Sequence, residues 1–440
     1  MDFPSCTFVP FVVAGFKLSH HGAVGLRALA IPGVEFGVRS VERCCTQRRS
    51  FLKGAGAVTV VAVGGVVWRA YDNGVFSVGE GPAYEPWKNW RTDSNNGDGA
   101  LALVRAAILA ASPHNTQPWL FKVTASRIEL YIDTKRNVGA LDPYLREEYI
   151  GMGCALENLM LASAANGYQA TATMVPGKLG PIPAEGAPKL VARVDLAPGK
   201  REESELYDAI PRRHTNRSAY IPQNPIPPEL IGALTRLMSD EPAIKVFLFT
   251  AEADRKKIVE ISSSANDEIY SDPAVKAASD RWIRINWSSV QKFRDGLTLD
   301  TFGQPPIATA VAKTIPLWML KWAASREPKD GYSKLMLSAP MIGILAVSDR
   351  YDQENCLRVG RIWQRAHLLA TARGLAGRPC NEGVEIIDHD KAQGKSAKRT
   401  ASLADVIADA VWQPTFVFYM GYPTLTARAS PRRPVESVVS

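Results

Sequence analysis

Apolar positions along the chain fall into two periodicities. Ala100 to Ala111 is an unbroken Ala-rich segment that reads as a helix, ended by Pro113, and Pro118 prevents its resumption. Phe121–Val123 and Ile128–Ile132 alternate apolar with polar, as two strands of a hairpin do. Residues 146–168 return to helical spacing, with Leu156, Leu159, Met160 and Ser163 on one stripe and Gly167 as a left-handed end. Residues 171–175 and 190–194 then read as strands, and the charged stretch 198–203 as a boundary. A second helix, Gly360 to Leu375, repeats the first in register. Gly153 aligns with Gly360, Gly167 with Gly374, Glu157 with Gln364, and Leu161 with Leu368. Helical patterning alone would match the leucines but not both glycines, so the pattern predicts a diverged duplication. Pro225–Leu230 opens a further helix, residues 239–249 hold a strand, and Thr415–Met420 another.

The chain has 440 residues, 46% of them hydrophobic, enough for two lobes with a substantial core. Its net charge of +8 is scattered rather than gathered in a stripe, which argues against a nucleic-acid partner. Six cysteines (Cys6, Cys44, Cys45, Cys154, Cys356, Cys380) form no C-x-x-C pair, and no His/Glu metal motif occurs, so no metal site is expected.

Chemistry concentrates in Ser112-Pro113-His114-Asn115-Thr116-Gln117-Pro118-Trp119-Leu120-Phe121, a loop between two prolines that offers a hydroxyl, an imidazole and two carboxamides. A second cluster, Arg212-Arg213-His214-Thr215-Asn216-Arg217, can chelate a phosphate through forked guanidinium donors and a hydroxyl; a solvated basic turn is the alternative. Near the amino terminus, Arg48-Arg49-Ser50-Phe51-Leu52-Lys53 precedes an uncharged run from Gly54 to Val67, too short and mild for a confident membrane span.

The loop resembles the Ser-x-x-Asn-x-Gln-Pro-Trp-x-Phe loop of the nitroreductase family of flavoproteins, in particular its two-lobed, Acg-type branch. The resemblance implies an α+β fold of two homologous nitroreductase-like lobes forming a single-chain pseudo-dimer. Lobe 1 is expected over 81–200 and lobe 2 over 201–440, with a lid inserted at about 262–335. It implies flavin mononucleotide (FMN), faced by Ser112 and Asn115 with Gln117 in support. The arm Arg213, His214, Thr215, Arg217 would grip the phosphate and ribityl chain, and Glu382–Gly383 would meet the flavin N5 edge. Arg432 and Arg433 would also reach the phosphate, a frayed basic tail being the alternative. Since the loop and the arm lie on different lobes, one functional and one decayed site are expected. No side chain stands out as a general acid or base.

The amino-terminal pattern resembles a twin-arginine export signal, within an extension, signal and linker of residues 1–80. It implies contact with the translocation machinery and a periplasmic or extracytoplasmic location, with an uncleaved anchor left open. The function expected is reduction of a nitro-aromatic, quinone or similar small acceptor by a monomer or weak oligomer. A flavin-storing protein with little turnover is the alternative, and a cofactor-free relative with a decayed site is a third reading.

Overall fold

The computed structural model describes residues 65–91, 99–183, 186–316, 319, 330–395 and 398–440. The extension 1–47, the arginine motif 48–53, and Trp318 and Trp322 of the expected lid lie outside the described residues.

In the first half, helix α1 (Leu101–Ala107) leads into strands β1 (Trp119–Val123) and β2 (Arg127–Ile132). The 20-residue helix α2 (Arg146–Ala165) follows, then β3 (Tyr168–Met174) and β4 (Lys189–Pro198). The four strands form one antiparallel sheet in the order β1-β2-β4-β3. The second half repeats this plan. Helix α3 (Pro228–Ser239) leads to β5 (Lys245–Phe249) and β6 (Met341–Val347). The 20-residue α7 (Gln353–Ala372), β7 (Ala376–Pro379) and β8 (Gln413–Gly421) complete the unit, with sheet order β5-β6-β8-β7. Numbered within each lobe, both sheets run first-second-fourth-third, and both place their long helix between second and third strands. The expected α+β fold of two matching lobes is therefore what the chain adopts.

The lobes differ where the duplication has been interrupted. In lobe 1 the first two strands are a tight hairpin with Phe121 opposite Leu130. In lobe 2 the equivalent turn is replaced by a long excursion carrying α4 (Glu252–Ile269), α5 (Pro273–Asp280) and α6 (Pro306–Thr314). Between β7 and β8 lies α8 (Glu382–Ala392).

The long helices α2 and α7 cross with their backbones touching, and the paired glycines are the reason. A Cβ on Gly153 would lie 2.0 Å from the Leu357 carbonyl oxygen, and one on Gly360 would lie 1.9 Å from that of Ile150. Around this point the repeat's polar positions meet across the seam. Gln364 Nε2 donates to Asn158 Oδ1 (2.8 Å), and Glu157, almost fully buried, accepts from Arg361 Nε (2.7 Å) and from Arg365 Nε. Gly167 and Gly374 both hold left-handed φ, +79° and +76°, at the ends of these helices. The chain's end ties the lobes again. Phe121 N–H donates to the Val438 carbonyl (2.7 Å) and Ser440 N–H to that of Phe121 (2.9 Å), so the carboxyl-terminal segment is bound to β1 rather than frayed.

A buried acidic knot anchors α2. Asp142 Oδ2 accepts from the Glu147 and Glu148 N–H groups (2.9 and 3.1 Å), closing the start of the helix. Arg146, fully buried, donates through Nε to Asp388 Oδ2 (2.7 Å) and through Nη1 to the Thr415 carbonyl (2.7 Å). Burial first, and then the Glu147 charge, push the Asp142 carboxyl from its ordinary 3.8 up to about 8. The native state then holds a proton that the unfolded chain releases. This contribution to stability is complete below pH 3.8 and is lost as pH rises through about 8. Stability should therefore fall across that window, by up to about 1.4 kcal/mol per pH unit for this one proton. Asp142→Asn should flatten the slope, as denaturant midpoints measured at intervals from pH 4 to 9 would show.

Candidate functional site at the lobe seam

The loop after α1 is strained. His114, Asn115 and Gln117 all have positive φ (46°, 57° and 52°), a left-handed conformation that non-glycine residues hold only when their surroundings enforce it. The enforcing contacts are visible. Ser112 Oγ accepts from Gln117 N–H (3.1 Å), Thr116 Oγ1 donates to Glu148 Oε2 (2.9 Å), and His114 Nε2 meets Ser279 Oγ of α5 (2.9 Å).

Both carboxamides bind backbone from distant segments. Asn115 Nδ2 donates to the Gly296 carbonyl (3.0 Å) and the Pro431 carbonyl (2.9 Å), and its Oδ1 accepts from Arg432 Nη1. Gln117 Nε2 donates to the Arg294 carbonyl (2.9 Å), and its Oε1 accepts from Arg433 N–H (2.8 Å). The left-handed turn aims these amides at the insertion and the tail, so they are not among the residues lining the cleft described next. This differs from the sequence expectation. Asn115→Ala removes three buried hydrogen bonds at a backbone angle that alanine tolerates poorly. It should cost about 2 kcal/mol in chemical denaturation.

The cleft lies where the lobes meet and is open to solvent on one side. Lobe 1 gives it Ser112, Pro113, His114, Gly151 and Cys154; lobe 2 gives Thr215, Arg217, Trp363, Arg378 and Glu382. Thus Ser112 of the loop, Thr215 and Arg217 of the arm, and Glu382 share one cleft, whereas Arg213, His214, Arg432 and Arg433 are not in its lining. Gly383, next to Glu382, is not itself in the lining, and a Cβ there would face Leu403 and Ile261 at 3.2 and 3.6 Å. The imidazole of His114 is pushed down to about 4 by burial and the Arg217 charge, so it is neutral at physiological pH.

A cationic cluster is buried beside the loop. Arg213 and Arg432 are each 2% exposed, and both donate to the Leu109 carbonyl at the end of α1 (3.1 and 3.5 Å). Arg432 also donates to the Ala110 carbonyl (3.0 Å), and its guanidinium lies 4.7 Å from the Trp87 ring centroid. His214 meets the same Trp87 edge to face at 4.6 Å. Burial lowers the Arg213 guanidinium to about 10. Burial and the Arg213 charge lower Arg432 further, and burial with both arginines holds His214 at about 3. Arg213 Nε and Nη1 and Arg432 Nε have no hydrogen-bond partner, and among the described residues no carboxylate pairs with either guanidinium. Arg433, only partly buried, donates through Nη1 to the Gln117 carbonyl (3.2 Å). Two buried cations thus keep N–H groups without acceptors, an arrangement that costs stability unless an anion is close by.

The cleft also contains carboxyl groups that sequence reasoning missed. Glu147 of α2 and Glu385 of α8 line it, hydrogen-bond to one another, and are raised by burial. The charges of Glu147 and Glu382 raise Glu385 further, well above the ordinary carboxylate range. Nothing in Arg146-Glu147-Glu148 distinguishes such a pair from a solvated helix start.

Known proteins supply a comparison. The chain matches no family model. It is 26% identical over 367 residues to "Putative NAD(P)H nitroreductase Rv3131" of Mycobacterium tuberculosis (strain ATCC 25618 / H37Rv), a match covering 82% of this chain and 95% of that protein. A second relative from that strain, similarly named and labelled acg, is 32% identical over 117 residues, 26% of this chain and 33% of its own length. Among solved structures, the FMN-dependent nitroreductase NfnB from Mycobacterium smegmatis in complex with NADPH aligns with 53% of this chain and 98% of its own, at 16% identity and a TM-score of 0.33. The similarity in sequence is thus to proteins named as nitroreductases and runs through nearly the whole length of Rv3131.

Proposed function

We propose that the chain is an FMN-dependent oxidoreductase of the nitroreductase type, exported through the twin-arginine machinery, that reduces a nitro-aromatic, quinone or similar small acceptor. The observation that carries this reading is the cleft shared by both lobes and lined by Ser112, Thr215, Arg217 and Glu382; Arg213 and Arg432 are buried without an anion outside that lining, Arg213 two residues from Thr215. A phosphate monoester is the anion that forked guanidinium donors recognise best. Arg213 and Arg432 would hold the FMN phosphate, with Thr215 and Arg217 along the ribityl chain. Ser112 and Glu382 would face the ring. Asn115 acts at one remove, orienting Arg432 through its Oδ1.

When bound, FMN supplies the two-electron chemistry, while the chain supplies orientation, charge and protons. A carboxyl of the Glu147–Glu385 pair, kept protonated by burial and by its neighbour, can give a proton to an acceptor oxygen in the cleft. His114, neutral and hydrogen-bonded to Ser279, can accept or donate a hydrogen bond at the cleft wall without carrying charge.

The test is turnover by the flavin-loaded protein. The expected result is reduction of a nitro-aromatic or quinone by bound flavin, with NADPH, NADH or dithionite offered in turn as donor. Flavin that dithionite reduces and that passes no electrons to any such acceptor would replace this reading with flavin storage. That alternative is favoured by one observation, the insertion segments Arg294–Gly296 and Ser279 clamped onto the cleft loop.

A further inference from the structure

Two neighbouring helices present apolar side chains to solvent. On the helix of residues 65–72, Trp68 and Tyr71 are 64% and 76% exposed, and Phe76 just beyond it is 73% exposed. On α6, Ile307 and Val311 are 80% and 52% exposed, and their i,i+4 spacing puts them on one face. The helices are fastened together by polar groups. Arg69 donates to the Thr314 and Ile315 carbonyls (3.0 and 3.1 Å), Asn73 Nδ2 to the Lys313 carbonyl (2.6 Å), and Lys313 Nζ to the Gly74 carbonyl (3.2 Å). The exposed residues therefore belong to one fixed assembly, and exposed aromatic and branched side chains grouped in this way mark an interaction surface.

We propose that this assembly docks on an anionic lipid bilayer. Three observations select that occupant. In the sequence, the uncharged run from Gly54 to Val67 precedes and enters the helix of residues 65–72. Arg48, Arg49 and Lys53 stand just before that run in the sequence, a basic flank that complements acidic headgroups. Trp and Tyr, amphipathic rings suited to the lipid–water boundary, are the largest side chains on the face. Among the described residues no helix is long and apolar enough to cross a membrane.

The position has a consequence for the cleft. Val75, Val78 and Gly79 on one side and Thr309, Ala310 and Lys313 of α6 on the other wall a second cavity. That cavity is also lined by Thr215 and Arg217, which line the cleft. A docked molecule holds the walls of this cavity next to lipid, where apolar quinones partition. The docking itself does not depend on the flavin assignment.

The experiment is co-sedimentation of the full chain with vesicles of phosphatidylglycerol and phosphatidylethanolamine, and with vesicles of phosphatidylcholine alone. Tighter binding to the anionic vesicles, weakened by salt, is expected. The double variant Ile307→Glu/Val311→Glu lies far from the apolar run in sequence and replaces exposed side chains, so its thermal midpoint should be unchanged while vesicle affinity falls at least tenfold. Tyr71→Glu should lower affinity in the same direction. Undiminished binding by the α6 double variant would overturn the proposal by leaving attachment to the run alone. Absence of binding by the full chain would overturn it, and so would self-association in solution abolished by Ile307→Glu, which would make a second copy the occupant.

Discussion

Gly153→Ala is expected to destabilise the protein by about 3 kcal/mol, at the upper end of what overpacking a core by one methyl usually costs. The added carbon would sit 2.0 Å from the Leu357 carbonyl oxygen and 3.0 Å from Gly360 Cα. Those atoms are backbone of the facing helix and cannot turn aside as a side chain could. Relief requires α2 and α7 to separate, and that breaks the Gln364–Asn158 and Arg361–Glu157 hydrogen bonds at the same crossing. The helix propensity gained by replacing glycine, about 1 kcal/mol, offsets only part of this. Gly360→Ala should behave alike, since its Cβ would lie 1.9 Å from the Ile150 carbonyl oxygen. Gly374→Ala is the control. It too is a repeat glycine, but nothing lies within 4 Å of its Cβ position, so only the left-handed φ is penalised, at about 1 kcal/mol. Chemical denaturation measures all three; equal effects would mean that the crossing is not the constraint that preserves these glycines.

Arg213→Met is expected to move stability and cofactor affinity in opposite directions. In the flavin-free protein Arg213 is a buried cation whose Nε and Nη1 have no partner, close to a second cation. Its acceptor, the Leu109 carbonyl, is shared with Arg432 and remains served in the variant. Replacing an uncompensated buried charge with an apolar chain of similar length should stabilise the apo protein by about 1–3 kcal/mol. The same change removes charge-assisted hydrogen bonds to the phosphate, so FMN affinity should fall by roughly 2–3 kcal/mol, or about 30- to 150-fold. Thermal melts without FMN and flavin-fluorescence titrations with it give the two numbers separately. A variant less stable than the parent, with unchanged affinity, would make Arg213 a purely structural residue.

Much of the fold was legible because it depends on local pattern. The β1–β2 hairpin, the two long helices and the carboxyl-terminal strand follow from apolar periodicity, and the duplication follows from glycines that the seam requires. The site was legible in part. Ser112, Thr215, Arg217 and Glu382 do reach one cleft. The role of Asn115 and Gln117 was not legible, because positive φ angles turn their amides toward segments 177 to 181 or 316 residues away. The fate of the tail was equally hidden. Arg432 looks like part of a frayed end until Val438 and Ser440 are seen paired with Phe121. Glu147 and Glu385 belong to different lobes, and neither sequence context shows that folding presses them together in a cleft.

The most direct measurement compares FMN with riboflavin on the full chain, by fluorescence titration at low salt. Riboflavin carries the same ring and ribityl chain without the phosphate. If Arg213 and Arg432 await a phosphate, FMN should bind at least about 100-fold more tightly than riboflavin, and Arg213→Met should abolish most of that difference. Equal affinity for the two flavins, or no flavin binding at all, would contradict the account.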